Sequence, residues 1–247
     1  MKMFIKSAGF FFACCMFLPG LFAQDAGEIL QKTDRVLFSF KDKQANVEMI
    51  LENRRDKEKI REAVLMQKGT EKRLYRYTKP ESQAGIATLS LPGDIMWLYM
   101  PAFGRPKKIS LLAKSQAFTG TDFSHEDMSV RSYAGDYTPT LLETTGEAYI
   151  LELVPKSGKS SYSKLVMQVD KDHYYPHRIE YYDKRGNKEK TATYVFRKTG
   201  DYWYAREVTM TDLKKDHATT IIMTDVIFDQ GIPDETFTVE KMMPEEE

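Results

Sequence analysis

Most of the chain alternates between apolar and polar residues with a period of two, in short segments separated by turn residues. Val47, Met49 and Leu51 alternate with polar neighbours. This is the pattern of a β-strand with one buried face. Regular spacing of such strands, with turn residues between them, indicates an antiparallel meander. Later strands are predicted around Tyr149–Leu153, Leu165–Val169, Ile179–Tyr181, Tyr194–Phe196, Val208–Met210 and Ile221–Met223. We expect about ten or eleven strands in all, and an open twisted sheet of that size curls.

One predicted strand, Ile95–Met100, is apolar on both faces. Ile95, Trp97 and Tyr99 alternate with Met96, Leu98 and Met100. A strand of this kind is covered on both sides.

A helix with one apolar face precedes the strands, over residues 25–40. Asp25 is the expected N-cap, with Glu28 placed three residues later as in a capping box. Ile29, Leu30, Thr33, Val36, Leu37 and Phe40 recur at helical spacing.

Residues 101–139 interrupt the alternation. Pro101–Pro106 breaks the strand pattern, Leu111–Phe118 and Ser124–Ser132 are typical of short helices or turns, and Pro139 closes the stretch. A connection of this length inside a compact domain usually serves a function.

The first 23 residues have the order of a secretory signal peptide. Lys2 and Lys6 precede an apolar run from Ala8 to Leu18, and cleavage is expected near Ala23. The run is short for a membrane span, although an uncleaved anchor helix is the alternative. Lipidation at Cys14 is disfavoured, because the residues before it form a poor lipobox. We therefore expect a periplasmic protein.

Composition is informative only after the signal peptide is removed. The remaining 224 residues have no cysteine, 34 basic and 36 acidic side chains, 24 aromatic residues and ten methionines. The balanced charge argues against a broad nucleic-acid surface, and the lack of cysteine excludes thiol chemistry. Tyrosine and methionine suit an adaptable apolar surface. Aromatic residues are also common in sheets, so composition leaves a cavity and a solid core equally open.

The densest group of ionisable residues is Asp122, His125, Glu126 and Asp127. A cation site and a general acid/base pair are the functional interpretations. Capping of a short helix by Ser124, with the acids in its first turn, is the favoured one.

Other motifs for chemistry are weak. His173 and His177 have the spacing of metal ligands on a helix, but Pro176 opposes a helix there, so surface histidines are favoured. The G-x-S-x-G and G-x-G-x-x-G motifs are absent. We expect no catalytic residue, no cofactor and no metal.

Residues 79–128 carry a combination of motifs that resembles the outer-membrane lipoprotein-sorting protein family, relatives of the periplasmic lipoprotein carrier LolA. A late segment, Ile232-Pro233-Asp234 with Phe237, fits as well. The motif positions are Pro80, Gly85, Trp97, Leu98, Tyr99, Pro101, Arg105, Lys108, Ile109, Phe118, Gly120, Asp122, Phe123, Glu126 and Asp127.

The resemblance implies a mainly β fold with helices, formed by residues 24–247 as one lipid-binding domain. Its curved antiparallel sheet would be an incomplete β-barrel, with the concave face covered by the N-terminal helix and a helical lid insertion. The lipid-cavity candidates are Leu37, Phe40, Met49, Leu51, Leu89, Trp97, Tyr99, Phe118 and Phe123. The lid and motif candidates are Pro101, Arg105, Gly120, Asp122, Glu126 and Asp127. Arg105 could pair with one of these acids and either hold the lid or only fix the loop.

The implied function is that of a carrier, not an enzyme. It would bind acyl chains of lipoproteins or other lipids and move them towards the outer membrane, as a monomer that works with an inner-membrane transporter and an outer-membrane acceptor. The resemblance does not fix the cargo. Two alternatives stay open: a lipid-sensing or docking module of an envelope membrane-protein complex, and an envelope hydrolase that uses Asp122, Glu126 and Asp127.

Overall fold

A computed structural model describes residues 25–52, 58–129 and 131–244. The predicted signal peptide, with Cys14 and Ala23, lies outside these ranges. The described residues form one antiparallel sheet of 13 strands. The strands are β1 Asp42–Glu52, β2 Lys59–Lys68, β3 Lys72–Lys79, β4 Ala87–Leu91, β5 Ile95–Tyr99, β6 Lys107–Lys108, β7 Tyr137–Thr144, β8 Ala148–Pro155, β9 Lys164–Asp170, β10 Pro176–Tyr182, β11 Lys188–Thr199, β12 Tyr202–Asp212 and β13 His217–Phe228.

Two meanders make up this sheet, and they join where the first strand meets the last. The order is β6-β5-β4-β3-β2-β1-β13-β12-β11-β10-β9-β8-β7, with Met49 of β1 opposite Ile221 of β13. Strands β6 and β7 are the two edges and do not pair, so the sheet is an incomplete barrel, as predicted. The expectation of strands in simple sequence order holds within each half and is wrong at the β1–β13 junction.

The inner face of the sheet carries the main core. Val47 of β1, Leu65 of β2, Met167 of β9 and Ile221 of β13 belong to one buried cluster. Strands β2 and β9 are separated by five others in the sheet order, so this face curves around a shared interior.

The first helix, α1 (Ala26–Leu37), covers part of the inner face. The Asp25 carboxylate accepts a hydrogen bond from the Gly27 amide at 3.0 Å, so the predicted N-cap is confirmed. Glu28 forms an ion pair with Lys32 at 2.8 Å. The helix ends at Leu37, three residues before the predicted end. It contacts β7 and β12, which lie in the second half of the sheet.

The outer face has a smaller core of its own. Leu74, Leu89 and Tyr99 pack against Ile232, Phe237 and Met242 of the C-terminal segment, which contains 3₁₀ turns at Asp234–Phe237 and Glu240–Met242. Strand β5 is therefore covered on both faces, as its pattern predicts. Met96 is buried on the inner side, and Trp97 packs on the outer side.

The segment from residue 109 to residue 136 connects the two edges of the sheet, and we call it the crossover. Its regular structure is limited to a 3₁₀ turn at Leu112–Ser115 and a short helix, α2 (Tyr133–Asp136). Val130 is outside the described residues. The lid expected to be helical is thus built mainly from turns, and Pro139, expected to close the irregular stretch, lies inside β7.

Candidate functional site

An apolar cavity of about 210 Å³ lies between the inner face, the end of α1 and the crossover. Side chains from both halves of the sheet and from the crossover line it, among them Val47, Leu65, Phe123, Tyr181, Met210 and Ile221. Its lining is rich in tyrosine and methionine, the residue types that composition left undecided between core and cavity.

Three of the nine predicted cavity residues line this space: Leu37, Phe40 and Phe123. Three more, Met49, Leu51 and Phe118, are buried in the core beside it and do not line it. Leu89, Trp97 and Tyr99 are on the outer face, so their assignment to the cavity is wrong. Leu89 pairs with Trp97 across β4 and β5, and both residues therefore point to the same side of the sheet.

The crossover is attached to the sheet by its acidic residues. The Asp122 carboxylate accepts a hydrogen bond from the Thr219 hydroxyl at 2.6 Å and lies 2.7 Å from His217 Nδ1. Both partners are on β13. Gly120, two residues before Asp122, has a φ of 79°, a left-handed conformation that glycine adopts at little cost.

Glu126 and Asp127 bind the crossover to the second half of the sheet. Buried Glu126 accepts hydrogen bonds from the Ser160 hydroxyl and the Ser161 amide, both at 2.7 Å, and from Arg131 at 3.4 Å. Asp127 accepts from the Tyr162 hydroxyl at 2.7 Å and from the Lys190 ammonium at 3.2 Å.

Capping also occurs in this segment, as favoured from the sequence. The Asp127 amide donates to the Ser124 hydroxyl at 3.1 Å, and the Ser124 amide donates to the Asp127 carboxylate at 2.7 Å. The two residues close a turn and not a regular helix. Burial, followed by the nearby Asp127 charge, raises the pKa of Tyr162 well above its usual value, so its hydroxyl stays protonated as a donor.

Arg105 is not the partner of these acids. It is exposed just after the 3₁₀ turn Pro101–Phe103, which begins with Pro101. Arg131, Lys190 and His217 take the place that the sequence assigned to Arg105. Lys190 and His217 are far from these acids along the chain, so no local motif could identify them, whereas Arg131 is only five residues after Glu126.

Two basic residues of the site, buried Lys43 and half-buried Arg73, were not predicted from the sequence. Lys43 and Arg73 line the cavity at positions that alternate with outward-facing residues, as Val47 and Tyr75 do. Burial, with a smaller effect of the nearby Arg73 charge, lowers the pKa of Lys43 to about 7. Burial lowers the pKa of Arg73 to about 10. The sequence signal that could have identified them is a basic residue at a strand position whose neighbours at a spacing of two are apolar and face inward.

The two histidines at metal-ligand spacing lie at the surface. His173 Nδ1 and His177 Nε2 are each 3.0 Å from the Asp170 carboxylate. Within residues 25–52, 58–129 and 131–244, no group of three or more His, Cys, Asp or Glu side chains is placed to hold a metal ion.

No described helix has both the length and the apolar character needed to cross a bilayer.

Comparisons with known proteins agree with this architecture. A family model described as "Uncharacterized protein" matches residues 69–243. A structure described as "outer membrane lipoprotein-sorting protein domain", from Vibrio parahaemolyticus, is 30% identical with a TM-score of 0.82, covering 88% of this chain and 97% of its own. A LolA superfamily protein from Nitrosomonas europaea is 27% identical with a TM-score of 0.75, covering 87% and 98%.

A DUF1329 family protein from Desulfovibrio piger shares the fold, at 24% identity, a TM-score of 0.83 and coverage of 88% and 98%. The search of curated proteins found no match.

Proposed function

Because the chain belongs to the outer-membrane lipoprotein-sorting protein family and has the LolA-like fold, we propose that it is a lipid carrier of the periplasm. It would bind acyl chains of lipoproteins or other lipids and move them towards the outer membrane. The observation that supports this proposal most strongly is the apolar cavity between the inner face and the crossover. Concave, mainly apolar sites of this kind bind small hydrophobic ligands.

A physical need for such a carrier follows from the hydrophobic effect. Each methylene group moved out of water gains about 0.8 kcal/mol, so a lipid with several acyl chains does not leave a membrane unaided. The cavity must bind the acyl chains well enough to extract them from the donor membrane. It must also bind them more weakly than the receiving membrane or acceptor does, since net transfer occurs only towards the site of higher affinity.

The size of the cavity implies that it opens on loading. At about 210 Å³ it is smaller than the roughly 300–1,000 Å³ of common ligand sites. The crossover is the natural part to move, because side-chain hydrogen bonds attach its middle to the sheet and backbone hydrogen bonds join only its two ends, whereas the strands are joined by backbone ladders. Asp122, Glu126 and Asp127 would then serve to hold the crossover, not to act on a substrate.

We further propose that residues 24–247 form one lipid-binding domain, exported after cleavage near Ala23. An inner-membrane transporter and an outer-membrane acceptor would be its partners.

Titration of the mature protein with a fluorescent fatty-acyl probe tests the proposal. Ala205 lines the cavity and Ala218, on the neighbouring strand, does not. We expect saturable binding by the wild type, affinity at least about tenfold weaker for Ala205→Phe because the ring fills the cavity, and unchanged affinity for Ala218→Phe. Absence of saturable binding, or equal binding by all three folded proteins, would overturn it.

A further inference from the structure

A row of polar side chains crosses the inner face at the end of the sheet where β1 begins. Lys43 of β1 is opposite Gln67 of β2, and Gln67 is opposite Arg73 of β3. Residues paired across neighbouring strands share a face and lie about 5 Å apart per strand. The two cations therefore flank Gln67, and both line the apolar cavity.

Among the described residues, neither cation forms an ion pair with an acid. The side chain of Lys43 is close to the ring of Phe40, with Nζ 5.1 Å from the ring centroid, and no carboxylate binds it among the described residues. The residue is only 7% exposed. Burying an ammonium group without a counter-charge costs free energy, so Lys43 lowers the stability of the protein when no anion is bound.

Only some of the hydrogen-bond donors of the Arg73 guanidinium group have an acceptor. Its two terminal nitrogens donate to the Gln67 side-chain oxygen at 2.9 Å and to the Met128 carbonyl at 3.2 Å. Its Nε is buried without a hydrogen-bond partner, and so is the hydroxyl of Tyr75 two residues further along β3. The Arg73 Nε and the Tyr75 hydroxyl are therefore two hydrogen-bond donors near the row that lack an acceptor.

The acids that line the cavity do not neutralise Lys43 and Arg73, because they bind other partners. Glu126 is bound by Arg131 and Ser160, and Asp127 by Lys190 and Tyr162. Lys43 and Arg73 are therefore the cations of the cavity that no described acid neutralises, and they lie beside its apolar and aromatic lining.

We propose that Lys43 and Arg73 form a binding site for the acidic headgroup of a lipid, a carboxylate or a phosphate, whose acyl chain occupies the adjoining apolar cavity. This inference rests on the proposed lipid-binding function and names the ligand class. A guanidinium group binds such oxyanions through paired N–H donors. Val47 lies further along β1 from Lys43, and Leu65 lies next to Gln67 on the same face of β2. The acyl chain of the lipid therefore meets an apolar surface next to the charged row.

The proposal predicts that lipids with an acidic headgroup bind more tightly than neutral lipids with the same acyl chains. Oleate and oleyl alcohol have the same chain and differ in the charge of the headgroup, and phosphatidylglycerol and diacylglycerol differ similarly. We expect the wild type at pH 6.5 to bind each acidic lipid at least about tenfold more tightly than its neutral counterpart. The larger of the two acidic-to-neutral affinity ratios identifies carboxylate or phosphate as the preferred headgroup, because each ratio cancels the contribution of the acyl chains.

Two charge-removing variants locate the site. Lys43→Met and Arg73→Met are expected to reduce the preference for oleate over oleyl alcohol to about twofold or less, while oleyl alcohol binds as before. Lys41→Met is the matched control, since Lys41 is exposed one residue before β1, and it should keep the full preference. If Arg73→Met does not fold, Lys43→Met alone decides, because it removes an unpaired buried charge and should fold.

The outcomes separate the two proposals. Equal affinity of the wild type for oleate and oleyl alcohol, or an unchanged preference in Lys43→Met, overturns the headgroup site and leaves the carrier proposal standing. Displacement of oleate by acetate or inorganic phosphate at equal concentration overturns the lipid assignment, because the site would then take a free anion. Failure of every lipid to bind overturns the carrier proposal, and this inference with it.

Discussion

At the residue level, the unusual groups of this protein are charges buried in an apolar environment. The acids of the crossover are matched by Arg131, Lys190 and donors on the sheet, whereas Lys43 and Arg73 have no matching acid in the part of the chain that the structure describes. These two situations lead to opposite expectations for stability. Removing a partner from a matched pair is destabilising, and removing an unmatched buried charge is stabilising.

Lys43→Met is expected to stabilise the ligand-free protein in a pH-dependent way. The pKa of Lys43 falls from 10.5 to about 7 on folding, so between these pH values the unfolded state holds one more proton. The free energy of unfolding of the wild type must therefore rise with pH across this window, by at most about 1.4 kcal/mol per pH unit. The advantage of Lys43→Met is largest near pH 6 and shrinks towards pH 9.

Urea unfolding of both proteins from pH 6 to pH 9 checks this, with Lys41→Met as the control. The comparison isolates Lys43 from the other ionisable groups that line the cavity, which are Arg73, Glu126, Asp127, Arg131 and the tyrosines Tyr75, Tyr133, Tyr137, Tyr162, Tyr181, Tyr194 and Tyr204. A difference between wild type and Lys43→Met that does not change with pH would contradict the burial of an unpaired ammonium.

Glu126→Gln is expected to destabilise the protein by about 3 kcal/mol, because it leaves Arg131 with only the Asp136 carboxylate at 4.0 Å and weakens two short hydrogen bonds. Glu143→Gln, at an exposed position of β7, should change the free energy of unfolding by less than about 0.5 kcal/mol. Chemical denaturation measures both. Equal stability of the two variants would show that Glu126 is not a structural residue.

At the level of elements, local patterns predicted what is locally determined. The apolar spacing and Asp25 located α1, and alternation at period two located most strands. Strand β7 was missed because Pro139 lies within it, at the edge of the sheet where proline is tolerated. The face assignment of Leu89, Trp97 and Tyr99 failed for a different reason: β5 is covered on both sides, so its apolar pattern does not say which face meets the cavity.

Two buried leucines distinguish the two faces. Leu89 is on the outer face and Leu165 lines the cavity, and each Leu→Ala change should lower the free energy of unfolding by about 2–5 kcal/mol. We expect only Leu165→Ala to alter the affinity for the fatty-acyl probe, measured at a temperature where both variants are folded. An equal change of affinity in Leu89→Ala would contradict the assignment of faces.

Asp34 of α1 joins this helix to the end of the crossover. Its carboxylate accepts hydrogen bonds from the Ser132 hydroxyl at 2.5 Å and from the amides of Tyr133 and Ala134 at 2.9 and 2.8 Å. Asp34→Ala should therefore speed up entry of the acyl probe in stopped-flow measurements, since it loosens one attachment of the crossover.

Glu28→Ala is the control for this change, because it removes only a surface ion pair on the same helix, and such pairs contribute little. Entry rates that are the same for wild type and Asp34→Ala would mean that the crossover does not limit access to the cavity.

At the scale of the whole molecule, the feature that local patterns could not reveal is the pairing of β1 with β13. Val47 and Met223 are opposite each other although almost the entire domain separates them in sequence, and neither strand carries a signal for its partner. This pairing makes β6 and β7 the edges, and the crossover must then span the open interior. The family motifs predicted the incomplete barrel, and the cavity with the cations Lys43 and Arg73 came only from the three-dimensional arrangement.

The central claim is that this interior holds lipid. Native mass spectrometry of the protein, purified without detergent from the cells that produce it, tests the claim most directly. We predict a population heavier than the polypeptide by the mass of a bound acyl lipid, and loss of that population in Ala205→Phe but not in Ala218→Phe. A spectrum with the polypeptide mass alone, from protein that also fails to take up added lipid, would contradict the account.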